Sequence, residues 1–333
     1  MKLASLREGG RDGTLIIVNR DLQRAVRVPK IAATLQNALD NWNELEPKLE
    51  DVFLQLMDDN CPNSFRFDRS AVAAPLPRAY HWADASAYVT HVELVRRARG
   101  VELPETFWSD PLMYMGASDA FIGATDNIEL EEESWGIDFE AEVAVFTDDV
   151  PAGTDRINAT SHIKLVSLVN DVSLRNLIPA ELSKQFGFYQ SKAQTAFSPV
   201  AVTPDELGEH WDGERLHLPL HATLNGKETG QPNAGVDMTF GFTELIQHAT
   251  KTRGLVSGSV IGSGTVSNQG NKDGSCCIAE IRCLETIADG TPTTPFMSFG
   301  DRIEIEMFDT AGQSIFGKID QQVSHYDPSK KIL

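Results

Sequence analysis

The chain reads as an α+β protein, rich in short strands, with peripheral helices and a small N-terminal α/β domain. Three observations predict this. Apolar runs of strand length recur from residue 139 onward. Helical periodicity is confined to a few segments. A proline-punctuated connector, Ala73-Ala74-Pro75-Leu76-Pro77-Arg78, divides residues 1–72 from the larger domain at 73–333.

Each element follows from its local pattern. Residues 14–18, Thr-Leu-Ile-Ile-Val, read as a strand. Residues 32–41 and 44–57 read as helices, the second with Leu49, Val52, Phe53 and Leu56 at helical spacing. Residues 139–146 and 163–169 are apolar runs of strand length, the latter leading into Asn170-Asp171. Leu216, Leu218, Leu220, Ala222 and Leu224 alternate with other residues, and Asn225-Gly226 supplies a hairpin turn. Residues 243–248 predict a helix, and residues 256–261, 275–284 and 303–307 predict late strands. Asp309-Thr310-Ala311-Gly312 predicts the turn of a final hairpin.

Bulk properties bound the function. With 333 residues, 41% hydrophobic and 23% charged, the chain is an ordinary globular sequence. Its 29 basic against 48 acidic residues give a net charge of −19. No basic stripe is present for phosphate binding, so nucleic acid is not an expected partner. Cys61, Cys276, Cys277 and Cys283 match neither a zinc pattern nor a disulfide framework, which predicts free thiols. No signal-like or membrane-spanning apolar segment is visible, so a cytoplasmic protein with no membrane partner is expected.

The chemistry concentrates at Asp138-Phe139-Glu140-Ala141-Glu142-Val143-Ala144-Val145-Phe146. On a strand Glu140 and Glu142 point the same way. Two like charges on one largely apolar strand are costly unless a counterion neutralises them. Asp171 ends a strand that would deliver it to a sheet edge, and Asp84 precedes a helix containing Tyr88, His91 and Val95. Such an all-carboxylate set suits Mg²⁺ or Ca²⁺, with Mn²⁺ also compatible, better than zinc. Any one of these carboxylates alone reads most simply as a solvated side chain. The Glu129, Glu131, Glu132, Glu133 run reads as a solvated loop.

Taken in order, these motifs resemble the fumarylacetoacetate hydrolase family over residues 75–320. Asp84 with His91 seven residues on, Asp138-Phe139-Glu140-Ala141-Glu142, and Val169-Asn170-Asp171-Val172-Ser173-Leu174-Arg175 carry the resemblance. So do Lys192 before Ser198-Pro199, Gly262-Ser263-Gly264-Thr265-Val266-Ser267, and Tyr114-Met115-Gly116. The resemblance implies a mixed β-sandwich or roll of the fumarylacetoacetase C-terminal type. It implies Asp84, Glu140, Glu142 and Asp171 as metal ligands, and a catalytic set of His91, Glu280, Lys192 and Arg175. Tyr114, Thr265, Ser86 and Arg99 fall at substrate-side positions. Longer family members carry tyrosine where this chain has Ser86 and glutamine where it has Ile178.

The implied reaction is hydrolysis of a carbon–carbon bond in a β-diketo acid, with fumarylacetoacetate first among substrates and a homodimer as the assembly. His91, oriented by Glu280, would activate water. Lys192 and Arg175 would offset developing negative charge. Within the same superfamily, a fumarylpyruvate or acylpyruvate hydrolase, a decarboxylase, an isomerase or a hydratase is the alternative. A metal-dependent binding protein without turnover is the alternative of a different class, and it would tolerate loss of His91.

Overall fold

The computed structural model describes residues 1–58, 60–98, 100–327 and 329. Arg99 lies outside the described residues.

Alternation of buried side chains builds the molecule around one large sheet. Its central strands are Ala201–Val202, Ile163–Asn170, Ala141–Thr147, Ser259–Gly262, His81–Ala85 and Met113–Met115, in that order across the sheet. Lys2–Leu6 pairs with Ala201–Val202, and Thr14–Val18, Arg24–Arg27 and Phe65–Arg66 follow outward. Residues 1–72 and the rest of the chain therefore share one hydrogen-bonded sheet. Most pairings are antiparallel, but Ser259–Gly262 runs parallel to His81–Ala85.

The two faces of this sheet bury two different cores. Leu3, Ile17, Trp82, Ala144, Phe146 and Val169 pack with Leu35, Leu39, Trp42, Leu49 and Phe53 of the helices Leu35–Asp40 and Trp42–Met57. Ala4, Ile16, Val143, Val145 and Ile261, of opposite parity, pack with Leu220, Ile303 and Met307 of a second sheet. That sheet orders Lys227–Gly230, Leu220–Leu224, Arg302–Met307, Ile319–His325 and Ile128–Leu130. The expected Asn225-Gly226 hairpin is present, with φ of 53° and 76° at the two turn residues, the left-handed pair that a type I′ turn needs.

Two expectations are corrected. Residues 275–284 do not form a strand: Ile278–Asp289 is an α-helix. Its Cys- and Ile-rich start has strand-like composition, but a long-range acceptor captures its first N–H groups, as described below. The acidic run is not wholly loop either, since Ile128–Leu130 pairs in parallel with Ile319–His325, burying Ile128 and Leu130 and leaving Glu129 outward. No helix among the described residues is long and apolar enough to cross a membrane.

Phe53 is fully buried between the helix and the sheet, with Arg20 stacked 5.5 Å from its ring centroid. Phe53→Ala should cost about 3–5 kcal/mol in urea denaturation. A loss under about 1 kcal/mol would contradict this packing.

Candidate metal centre

The four carboxylates extend the helix-side face of the sheet past its apolar rows. Glu140 and Glu142 continue the row of Ala144 and Phe146, Asp84 continues from Trp82, and Asp171 continues from Val169. Across the sheet, Ala144 pairs with Gly262, and Gly262 pairs with Asp84. A Cβ at position 262 would collide with Asp84 Oδ1 and the Trp82 indole, so only glycine leaves Asp84 its place beside Glu142. Gly264, at φ 75°, then turns the chain so that its N–H donates to Asp84 Oδ1 at 3.1 Å.

Asp84, Glu140, Glu142 and Asp171 are all buried, and one oxygen from each lies within 4.8 Å of the others. Lys192 Nζ donates to Glu140 Oε2 at 2.5 Å and to Asp171 Oδ2 at 2.7 Å. Arg175 Nη2 donates to Glu140 Oε1 at 2.8 Å, and its Nε donates to Asp138 Oδ2 at 2.8 Å. Tyr114 Oη donates to Asp171 Oδ2 at 2.6 Å, and Thr195 Oγ1 donates to Asp171 Oδ1 at 2.8 Å. Both carboxylate oxygens of Glu142 are buried with no hydrogen-bond partner among the described residues.

Charge follows this geometry. Burial opposes ionisation of Glu140, but Lys192 and Arg175 hold its pKa down to about 2. Burial, and then the neighbouring carboxylates, push Asp84 and Glu142 well above the ordinary range. Burial opposes the charge on Lys192, but Asp171 and Glu140 raise its pKa overall, so it stays protonated. Counting Asp138, five carboxylates face two cations, a formal excess of −3. An excess of negative charge, hard oxygen donors and the unpartnered Glu142 fit a divalent cation such as Mg²⁺, Mn²⁺ or Ca²⁺.

Beside this cluster, the helix Val89–Ala98 presents His91 to the helix Ile278–Asp289. His91 Nδ1 lies 2.9 Å from Glu280 Oε2, and Ser267 Oγ donates to Glu280 Oε1 at 3.0 Å. Glu280 is 1% exposed. Cys277 Sγ is close to this pair and accepts from the Glu280 backbone N–H at 3.4 Å. His91, Cys277 and Glu280 also carry potential ligand atoms, yet here each is already engaged, unlike Glu142.

The remaining expected residues are placed as follows. Arg175, expected to offset developing negative charge, has its guanidinium divided between Asp138 and Glu140. Tyr114 is bonded to a candidate ligand, with Phe188 edge-on at 5.2 Å. Thr265 is buried, and Ser86 is half-buried with its N–H on Leu112 O. Sequence reading gave no role to Asp138, Asn170, Thr195 or Ser267. Asn170 Oδ1 accepts from the Glu140 N–H at 3.2 Å, and its Nδ2 donates to Gln321 Oε1 at 2.9 Å, fixing the ligand strand. Its place directly before Asp171 was the available signal; Asp138 and Ser267 stand in motifs already singled out, and Thr195 had none.

A family model for the fumarylacetoacetate hydrolase C-terminal domain matches residues 80–324, and one for fumarylacetoacetase N-terminal domain 2 matches residues 1–78. The chain belongs to the fumarylacetoacetate hydrolase family. Among curated relatives, a 2,4-didehydro-3-deoxy-L-rhamnonate hydrolase of Sphingomonas sp. is 30% identical over 162 residues, 47% of this chain and 53% of that protein. An oxaloacetate tautomerase of Bacillus subtilis is 29% identical over 180 residues, 54% of this chain and 55% of its own. These matches span about half the length of either relative. In solved structures, a fumarylacetoacetate hydrolase from Exiguobacterium antarcticum superposes with TM-score 0.69 at 18% identity, covering 98% of this chain and 99% of that one. A maleylpyruvate hydrolase from Sphingobium sp., in complex with manganese(II) and pyruvate, gives TM-score 0.64 at 16% identity, covering 98% and 100%. The family fold is this strand-rich α+β architecture with its N-terminal domain.

Glu142→Gln replaces a buried carboxyl, which its surroundings hold in the neutral form without metal, by a neutral amide of the same shape. It should leave the melting temperature of the metal-free protein nearly unchanged and abolish the stabilisation that Mn²⁺ gives the parent. Thermal melts with EDTA and with Mn²⁺ check both. A Glu142→Gln variant still stabilised by Mn²⁺ would remove Glu142 from the ligand set.

Proposed function

We propose that this protein is a metal-dependent hydrolase that cleaves a carbon–carbon bond in a small β-diketo acid, fumarylacetoacetate being the first substrate to test. The single observation that carries this reading is the His91–Glu280 pair beside four buried carboxylates. Hydrolysis needs an activated water, and a histidine held by a buried carboxylate is a device for making one.

Asp84, Glu140, Glu142 and Asp171 are the residues that would hold the ion. The ion, when bound, would supply Lewis-acid polarisation of the substrate's oxygens. With Nδ1 engaged by Glu280, Nε2 of His91 is the nitrogen left to take a proton from water. Glu280 fixes the tautomer and stabilises the imidazolium that results, while Ser267 keeps Glu280 in place. Lys192, protonated between Glu140 and Asp171, provides positive charge, and a proton donor, for the enolate-like leaving group. Tyr114 restrains Asp171 and so shapes the substrate-facing edge. Arg175 supports Glu140 from the side of Asp138.

A second reading is keto–enol tautomerisation of a 2-oxo diacid, supported by the tautomerase relative and by the protonated Lys192, since tautomerisation needs proton transfer and no nucleophilic water. It serves similar anionic, oxygen-rich substrates but differs in needing no activated water and in its product. The assembly we infer is a homodimer, which light scattering reads directly.

The test is a panel of fumarylacetoacetate, fumarylpyruvate, acylpyruvates and oxaloacetate with Mg²⁺ or Mn²⁺ present, followed by chromatography of products. Two-fragment products from a diketo acid are expected. Keto–enol exchange of oxaloacetate without cleavage of any diketo acid would replace the hydrolase reading with the second one. His91→Gln should lower cleavage by about 10²–10⁴-fold with metal binding retained. Full activity in that variant would end the assignment of the water-activating pair.

A further inference from the structure

We propose that Asp138 is a positioning residue that ties the two halves of the site together, holding Glu280 in reach of His91 and Glu140 in its place in the carboxylate cluster. The proposal rests on the two-part site of the preceding subsection.

Asp138 is fully buried on the two-residue strand Ile137–Asp138. Its carboxylate accepts three donors. Ile278 N–H reaches Oδ1 at 2.8 Å, Ala279 N–H reaches Oδ2 at 2.9 Å, and Arg175 Nε reaches Oδ2 at 2.8 Å.

The first two donors open the helix Ile278–Asp289, and nothing inside the helix can accept from them. Cys277 Sγ takes the next, from Glu280. Asp138 therefore caps this helix from 140 residues away in sequence. An anion at the positive end of the helix is favourable as well as geometrically fixed. Glu280 is the third residue of that helix, so the cap sets where its carboxylate meets His91.

The third donor carries the other arm. Arg175 bridges from Asp138 to Glu140 Oε1. The short pairing of Ser173–Leu174 with Ile137–Asp138, and the Arg175 N–H on Gly136 O at 2.9 Å, hold the arginine at this point. One carboxylate thus fixes the proton-handling pair on one side and a candidate ligand on the other. In sequence Asp138 is only the start of a motif, because the helix it caps is invisible from its neighbours.

Asn at 138 keeps the shape and removes the function. Its amide has one acceptor oxygen, and its NH₂ would face the Ala279 N–H and the Arg175 Nε–H, donor against donor. Partners that orient metal ligands typically matter about 10–100-fold in metal affinity or activity. Asp138→Asn should therefore weaken Mn²⁺ binding, read by titration calorimetry, by about tenfold or more. On whichever substrate the parent turns over, kcat should fall by about 10–100-fold while KM moves by less than about threefold.

Coupling decides between positioning and simple loss of stability. At saturating Mn²⁺, where the Glu140 arm no longer limits turnover, adding Asp138→Asn to Glu280→Gln should cost little more in kcat than Glu280→Gln alone, because both break the His91 arm. Wild-type Mn²⁺ affinity and kcat in Asp138→Asn would overturn the proposal. So would fully multiplicative losses in the double variant. If Asp138→Asn does not fold, Arg175→Lys replaces it: one ammonium cannot span both carboxylates, so weaker Mn²⁺ binding is expected and unchanged affinity overturns the network. If the parent cleaves nothing on the panel, the functional reading fails, while Mn²⁺ affinity still tests Asp138.

Discussion

Burying Asp84, Glu140, Glu142 and Asp171 within one small volume is the constraint that the rest of this site answers. Like charges in a low-dielectric interior repel strongly, and they persist only with compensating charge or protonation. Lys192 and Arg175 compensate Glu140 and Asp171 but leave Glu142 without a partner among the described residues. The sheet supplies the geometry for this arrangement. Three strands deliver carboxylates to one face, and Gly262 withholds a side chain where a fourth would intrude.

The cluster and the His91–Glu280 pair belong to different elements, so their spacing has to be enforced. The sheet enforces the carboxylates. The helix Ile278–Asp289 enforces Glu280, and Asp138 joins that helix to Arg175 and Glu140. The proposed site is thus a set of buried acceptors held on sheet and helix elements by buried hydrogen bonds.

Much of this was legible in sequence wherever the signal is local. The alternation of Glu142, Ala144 and Phe146 survives into the structure as one face of the strand Ala141–Thr147, with Glu140 directly before it. The Asn225-Gly226 turn has the left-handed backbone its residues favour. What failed did so through long-range contacts. The Cys-Ile stretch after Ser275 has strand-like composition, but Asp138 supplies the acceptors that take the first two N–H groups of a helix. The partners of Arg175, 35 and 37 positions away, were likewise out of reach of any local pattern. The continuity of the sheet from Lys2–Leu6 into Ala201–Val202 was equally invisible, since a strand does not announce its neighbour.

Under the proposed function, substrate choice is expected to turn on Ser86 and Ile178, where the chain departs from longer family members, and the reaction centre on the carboxylates. The centre therefore comes first. Anomalous diffraction from a crystal soaked in Mn²⁺ tests it most directly. One manganese peak enclosed by Asp84, Glu140, Glu142 and Asp171 is expected. A peak against His91, Cys277 and Glu280 instead, or none at the carboxylates at saturating Mn²⁺, would contradict a metal centre there.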